Sequence, residues 1–210
     1  MKKIYKHFNL YAIYLTLAAL LISGSIFAYL LLKDSGEKTI NVEGTNLYTQ
    51  RFNATDYQKE LFTELETVIN NSEATGNEIA ASVVKNYIAD FYTWTNKQGS
   101  HDVGGLGFVF SPSTLYIQSQ AKAYFYKDLT YFIELYGAEN LLQVDSITVK
   151  YADAETNFVM GTNEYPSYYV GVEWTYVPNE IFSPLSYQNK GYFSVLVRDG
   201  KFEIYRYFKE

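Results

Sequence analysis

Beyond residue 33 the chain has a single histidine, His101, and it has no cysteine at all. A Cys–His nucleophile pair or a His/Cys zinc site therefore cannot be assembled within one chain, and disulfides are excluded as well. His101 stands beside Asp102, the residue types of a general base and its orienter. Neighbours in a glycine-rich turn seldom point at each other, however, and a solvated loop histidine is the commoner outcome. The stretch DVGGLGF, Asp102 to Phe108, resembles a phosphate-binding loop in composition only. It has neither the GxxxxGK[ST] pattern nor a preceding strand in a βαβ unit, so a turn between helices is expected. Paired carboxylates remain open as chemistry, because glycoside hydrolysis needs only two acids at the right separation. Asp90, Glu134 and Glu173 are the acids to watch, although Glu173 falls on the strand face opposite Trp174 and reads as solvated. No catalytic residue, metal ligand or cofactor is assigned.

The elements that position these residues are legible from period and caps. Thr55-Asp56-Tyr57-Gln58 and Thr75 to Glu78 both fit capping boxes. The first opens a helix with Leu61, Phe62, Leu65, Val68 and Ile69 on one face, running to Asn70-Asn71. The second opens a longer helix whose stripe is Ile79, Val83, Val84, Tyr87, Ile88, Phe91 and Trp94, running to Gly99. Ser111-Pro112 begins a third helix expected to continue to Tyr136, with Gly137 as its stop.

From Leu141 onward the period is two. The phase slips after Val144, which predicts a bulge near Asp145-Ser146. Tyr168, Val170, Val172, Trp174 and Tyr176 share one face of the next strand. Asp199-Gly200 predicts a two-residue hairpin turn with Val197 opposite Phe202, Val195 opposite Ile204 and Phe193 opposite Arg206. Helices followed by four antiparallel strands describe one α+β domain over residues 54–210, with its core in 75–210.

Residues 8–32 carry no charged side chain and are flanked by Lys2, Lys3, Lys6 and Lys33. As a helix they reach roughly 37 Å, enough to span a hydrocarbon core of about 30 Å with some tilt. The basic flank predicts a cytoplasmic tail at 1–7, and residues 33–53 read as a polar stalk carrying an extracytoplasmic domain. The apolar run is longer than a signal-peptide core, which favours an uncleaved anchor over a cleaved signal, and lipoprotein attachment needs a cysteine the chain lacks. Two sequons, at Asn53 and Asn70, matter only in a glycosylating host. All 23 acidic residues but only 13 of the 17 basic ones lie beyond residue 33, leaving that part with a formal charge of −10. Nucleic acid is an unsuitable partner for such a surface.

A capped long helix, a glycine-bearing turn, another helix ending in Tyr136-Gly137 and a bulged strand meander together resemble the nuclear transport factor 2-like fold. In that fold a curved four-stranded antiparallel sheet wraps on helices as a cone. The resemblance covers residues 75–210 and is one of element order. With one anchor added, the plan is similar to the inner-membrane scaffold proteins of type IV secretion and conjugation machines, which are non-enzymatic. The resemblance implies a membrane-anchored interaction or scaffold domain. Its partners would be the bilayer through residues 8–32 and other proteins, and self-association stays open. The alternative is a surface enzyme or small-ligand binder using the interior of the cone. A wall for such a ligand would include Tyr87, Phe91, Trp94, Tyr168 and Trp174, although rings at these periods more often pack than bind.

Overall fold

The computed structural model describes residues 47–183 and 186–208; the expected anchor at 8–32 lies outside them. Among the described residues no helix is long and apolar enough to cross a membrane.

Both capping boxes are present. Thr55 caps α1 (Asp56–Asn70), accepting from Gln58 N while the Gln58 side chain accepts from Thr55 N, and Thr75 with Glu78 does the same for α2 (Gly76–Phe91). Two orphan amides are thus satisfied at each start. α2 stops eight residues short of the predicted Gly99. Past its end, Trp94 N donates to Leu142 O and Thr93 Oγ1 accepts from Val144 N, so residues 93–94 bond to the chain that leads into the sheet.

The expected single helix from Ser111 to Tyr136 is two: α3 (Thr114–Ala123) and α4 (Leu129–Tyr136). The break has a physical cause in Tyr126, which is fully buried and donates from its hydroxyl to Phe91 O at 2.5 Å. A continuous helix would have to give up that anchor.

The sheet is antiparallel in the order β1 (Val144–Met160), β2 (Asn163–Tyr176), β3 (Lys190–Arg198), β4 (Lys201–Phe208). The predicted slip after Val144 is a register shift between Val144 and Ser146, and two more follow at Val149/Tyr151 and Glu155/Phe158. Such bulges bend and twist the strand that carries them. The Asp199-Gly200 turn has both residues at positive φ, as a hairpin of this type requires. It pairs Val197 with Phe202 and Val195 with Ile204 as expected. Phe193, however, faces Tyr207 rather than Arg206, because the ladder slips by one residue between Ser194 and Val195.

The core lies between α2 and the inner sheet face, where Val83, Val84 and Ile88 meet Val170, Val172, Phe193 and Val195. Residues 48–53, read as the end of the stalk, pack into this domain. The Tyr48 ring is buried and stacked on Phe108, and its hydroxyl donates to Phe202 O and accepts from Phe202 N.

Candidate functional site

The five candidate pocket residues separate into two groups. Tyr87, Phe91, Trp94 and Trp174 belong to one network of rings. Tyr87 stacks on Phe91 at 5.2 Å, and Phe91 on Phe125 at 5.5 Å. Trp94 packs on Phe125 at 4.9 Å, and Tyr92 joins Trp174 at 4.7 Å. Tyr168 sits apart, against Phe202 and over Gly76, where an added Cβ would overlap its hydroxyl. Ring contacts of this kind add about 0.5–1.5 kcal/mol each beyond buried area. The positions expected to wall a cavity are therefore filled with packing. Phe125 and Tyr126, which complete the network, were hidden in the sequence because they lie where the third helix breaks.

The electrostatic centre of the domain is elsewhere. Asp90, on the last turn of α2, accepts from Arg51 Nε at 2.9 Å, Lys97 Nζ at 2.9 Å and Gly105 N at 2.6 Å. Asp102 accepts both terminal nitrogens of Arg51, at 2.7 and 3.0 Å, and Gln98 N at 2.9 Å. Lys97 also donates to Asn96 Oδ1, while Asn53 and Asn96 tie the same loop to Gln58. Two cations and two anions thus form a neutral, densely bonded cluster joining residues 51–53, the end of α2 and the glycine turn. Such a fork is the geometry in which arginine binds carboxylates best.

Burial by itself would raise the Asp90 carboxyl, but the charges of Lys97 and Arg51 hold it well below the usual carboxylate range. For Asp102 the burial penalty is likewise outweighed, here by the Arg51 hydrogen bonds, and the carboxyl is lowered. Desolvation lowers the Lys97 ammonium, with Asp90 opposing the shift.

This geometry decides the earlier expectations. The glycine turn gives its Gly105 amide to Asp90, not to a phosphate. Gly105 is at φ +76° beneath the Tyr87 ring, and a Cβ on Gly104 would stand 2.3 Å from Asp90 O, so both positions need glycine. Asp102 spends its oxygens on Arg51 and Gln98, so it does not orient His101, which is exposed. Asp90 points inward, but into ion pairs. Glu134 is exposed, and Glu173 pairs with Lys150 on the outer sheet face at 2.7 Å. Among the described residues no group of acids and histidines is arranged to hold a metal ion. Asn53, in the first sequon, donates its side-chain amide to Asn96 O at 2.7 Å.

Glu203, a buried acid, was not singled out in the sequence. It accepts from Ser111 Oγ at 2.6 Å and faces Arg198 at 3.0 Å, pinning the start of the α3 segment to β4. Val109 and Phe110 reinforce that seam through a parallel bridge to Ile204.

Several of the large apolar side chains that the core does not absorb lie on α3, α4 and the link between them. Leu115 (80% exposed), Tyr124 (77%), Tyr116 (68%) and Tyr131 (60%) are the four most exposed large apolar residues described, and Leu135 joins them.

The chain matches no protein-family model, no curated protein and no solved structure.

Proposed function

We propose that this chain is a single-pass, membrane-anchored interaction or scaffold domain, held outside the cytoplasm by residues 8–32. In this reading it serves as a protein-binding part of a secretion or conjugation assembly, built on a nuclear transport factor 2-like fold. The observation that carries the reading is the exposure of large apolar side chains on α3, α4 and the link between them. Leaving Leu115, Tyr116, Tyr124 and Tyr131 in water forgoes burial that is worth roughly 1.5–3 kcal/mol per large side chain. Exposed apolar clusters of this kind mark contact surfaces, and tyrosine is enriched at interfaces for its apolar body and polar tip. The filled ring network and the neutralised ionic cluster support the same reading, since both hold the domain rigid. A reading in which the interior accepts a small ligand draws no support from the packed rings.

The test places a photo-crosslinking amino acid at Tyr124 or Tyr131 in the full-length protein in its own cells. The expected result is a discrete adduct with an envelope protein that disappears when Leu115→Asp is introduced alongside. Labelling that is absent, or indifferent to Leu115→Asp, would contradict the proposal.

A further inference from the structure

The outer face of the sheet carries a second surface, of different chemistry. Along β2 the residues Tyr169, Gly171, Glu173 and Thr175 alternate with the buried Val170, Val172 and Trp174, and so face away from the helices. Their cross-strand partners share that side. Tyr151 and Tyr192 flank Gly171, while Thr148 and Lys190 flank Glu173.

The rings of Tyr151, Tyr169 and Tyr192 have centroids 5.7, 5.9 and 6.1 Å apart, with planes within 30° of one another. Three near-parallel rings at the corners of such a triangle cannot all overlap face to face. Full stacking needs about 3.5 Å along the common normal at every step, and three such steps do not close. The three rings are therefore offset side by side rather than fully stacked. Gly171 shows how they lie, because a Cβ there would stand 2.5 Å from Tyr151 Cζ. The Tyr151 ring lies over the Gly171 backbone. Tyr151 remains exposed, and Phe208 on β4 meets the Tyr169 ring edge-on, with centroids 6.2 Å apart and planes at 66°.

Beside these rings, one step further along β2, lies an open cleft of about 400 Å³ lined by Ser146, Thr148, Glu173, Thr175, Asn189 and Lys190. Rings and cleft form one strip. From Tyr169 to Thr175 it runs about 20 Å at the usual strand rise.

An aromatic surface continued by hydroxyl, carboxylate and ammonium groups suits a ligand with apolar faces and a polar rim. A pyranose ring with equatorial substituents is such a body. Its axial C–H bonds project from both faces and meet the electron-rich face of an aromatic ring, while its hydroxyls fan out in the ring plane. Sugars joined through equatorial bonds form a ribbon that matches a strip. Nucleobases also stack on aromatic platforms, but they bring phosphates that need cationic neutralisation. Here Asp153, Glu155 and Glu173 offset Lys150, Lys190 and Arg206, so the face carries no net positive charge to neutralise a phosphate backbone. A protein partner would prefer a core depleted of charge, whereas Lys150, Glu173, Lys190 and Arg206 border this one.

We propose that the outer sheet face binds an uncharged, equatorially linked glycan, of the β-1,4 type. Tyr151, Tyr169 and Tyr192 stack on its rings, and Thr148, Glu173 and Lys190 take its hydroxyls. The proposal rests on the outward-facing interaction reading for its setting alone. Binding is measured on the purified chain, so a failure of topology and a failure of binding are separate results.

Full-length protein in mild detergent is titrated with β-1,4-linked oligomers of glucose and of N-acetylglucosamine. Saturation-transfer NMR then reads which ligand protons lie against the rings. The expected result is transfer from aromatic protons to the sugar C–H protons for at least one oligomer. Tyr151→Ala and Tyr192→Ala should each weaken the Kd about tenfold, comparable to the loss of one stacking ring. Tyr151→Phe should stay near the parent, and Glu60→Gln, on the exposed side of α1, should change nothing. Circular dichroism checks each fold, and if an alanine variant unfolds, the parent transfer spectrum and Glu173→Gln decide instead. Three results would overturn the proposal: no transfer to either oligomer, undiminished binding by the folded alanine variants, or tighter binding of a single-stranded oligonucleotide than of either glycan.

Discussion

Replacing Arg51 with methionine keeps the length of the side chain and removes the guanidinium from between two carboxylates. The Arg51 side chain is 11% exposed and Asp102 13%, so both members of the fork are largely desolvated. Breaking such a pair leaves an uncompensated charge, which in fully buried sites costs about 3–5 kcal/mol. Residual exposure and the remaining Lys97–Asp90 pair place the expectation near the low end, at about 3 kcal/mol. For a domain of this size that lowers Tm by roughly 6–12 °C. Arg51→Lys, which keeps the charge and loses the two-pronged contact, should recover part of the loss. The assay is urea denaturation of parent and variant with a check that the m value is unchanged.

Acidification gives an independent reading of the same cluster. Asp90 and Asp102 have folded pKa values below the unfolded carboxylate value of about 3.9. Their contribution is therefore intact above that value and is lost as pH falls through it toward the folded pKa. Arg51→Met should flatten this acid limb. A loss below about 1 kcal/mol, the range of an exposed ion pair, with an unchanged acid limb, would refute the view that this cluster clamps residues 51–53 to α2.

Several other perturbations have defined outcomes. Tyr126→Phe removes the donor to Phe91 O and the acceptor of Gly104 N, and should cost about 1–3 kcal/mol by thermal melt. Gly105→Ala places a side chain at φ +76° within 2.8 Å of the Tyr87 ring and should destabilise by more than 1 kcal/mol, whereas Gly107→Ala, with open space around it, should be tolerated. Burial raises the hydroxyls of Tyr48, Tyr87, Tyr92, Tyr126 and Tyr176 above their ordinary value of 10.0. Their folded pKa lies above the unfolded one, so the stability they contribute is complete below pH 10 and is lost as pH rises beyond it. Tyrosinate absorbance should then appear in two stages, the exposed tyrosines first and the buried ones together with unfolding, and a single smooth titration would contradict that burial.

How legible this protein is depends on how far each signal reaches along the chain. The capping boxes at Thr55 and Thr75, the phase slip after Val144 and the Asp-Gly turn are all local, and each appears in the structure as read. Non-local contacts decided the rest. Trp94 fits the helical stripe of α2, yet the chain there leaves the helix to bond Leu142 and Val144. From Ser113 to Tyr136 the chain has no glycine or proline, yet it is interrupted where Tyr126 reaches Phe91 O. The partner of Phe193 shifts by one through a bulge that no turn residue announces.

The ionic cluster was invisible for the same reason. Arg51, Asp90, Lys97 and Asp102 follow no period, and Arg51 sits in a segment whose polar, patternless composition reads as a stalk. The tyrosine rings were hidden differently. Tyr169 and Tyr192 flank buried positions, and only the glycine opposite Tyr151 hints that a ring lies across the strand.

The central proposal is that residues 8–32 anchor this domain in a membrane and hold it outside the cytoplasm. The chain contains no cysteine, so a single introduced thiol reports position without background. In intact cells, Ser119→Cys on the exposed side of α3 should react with a membrane-impermeant maleimide, while Lys3→Cys should react only after permeabilisation. Protection of Ser119→Cys in intact cells, or recovery of the protein from the soluble fraction, would contradict the account.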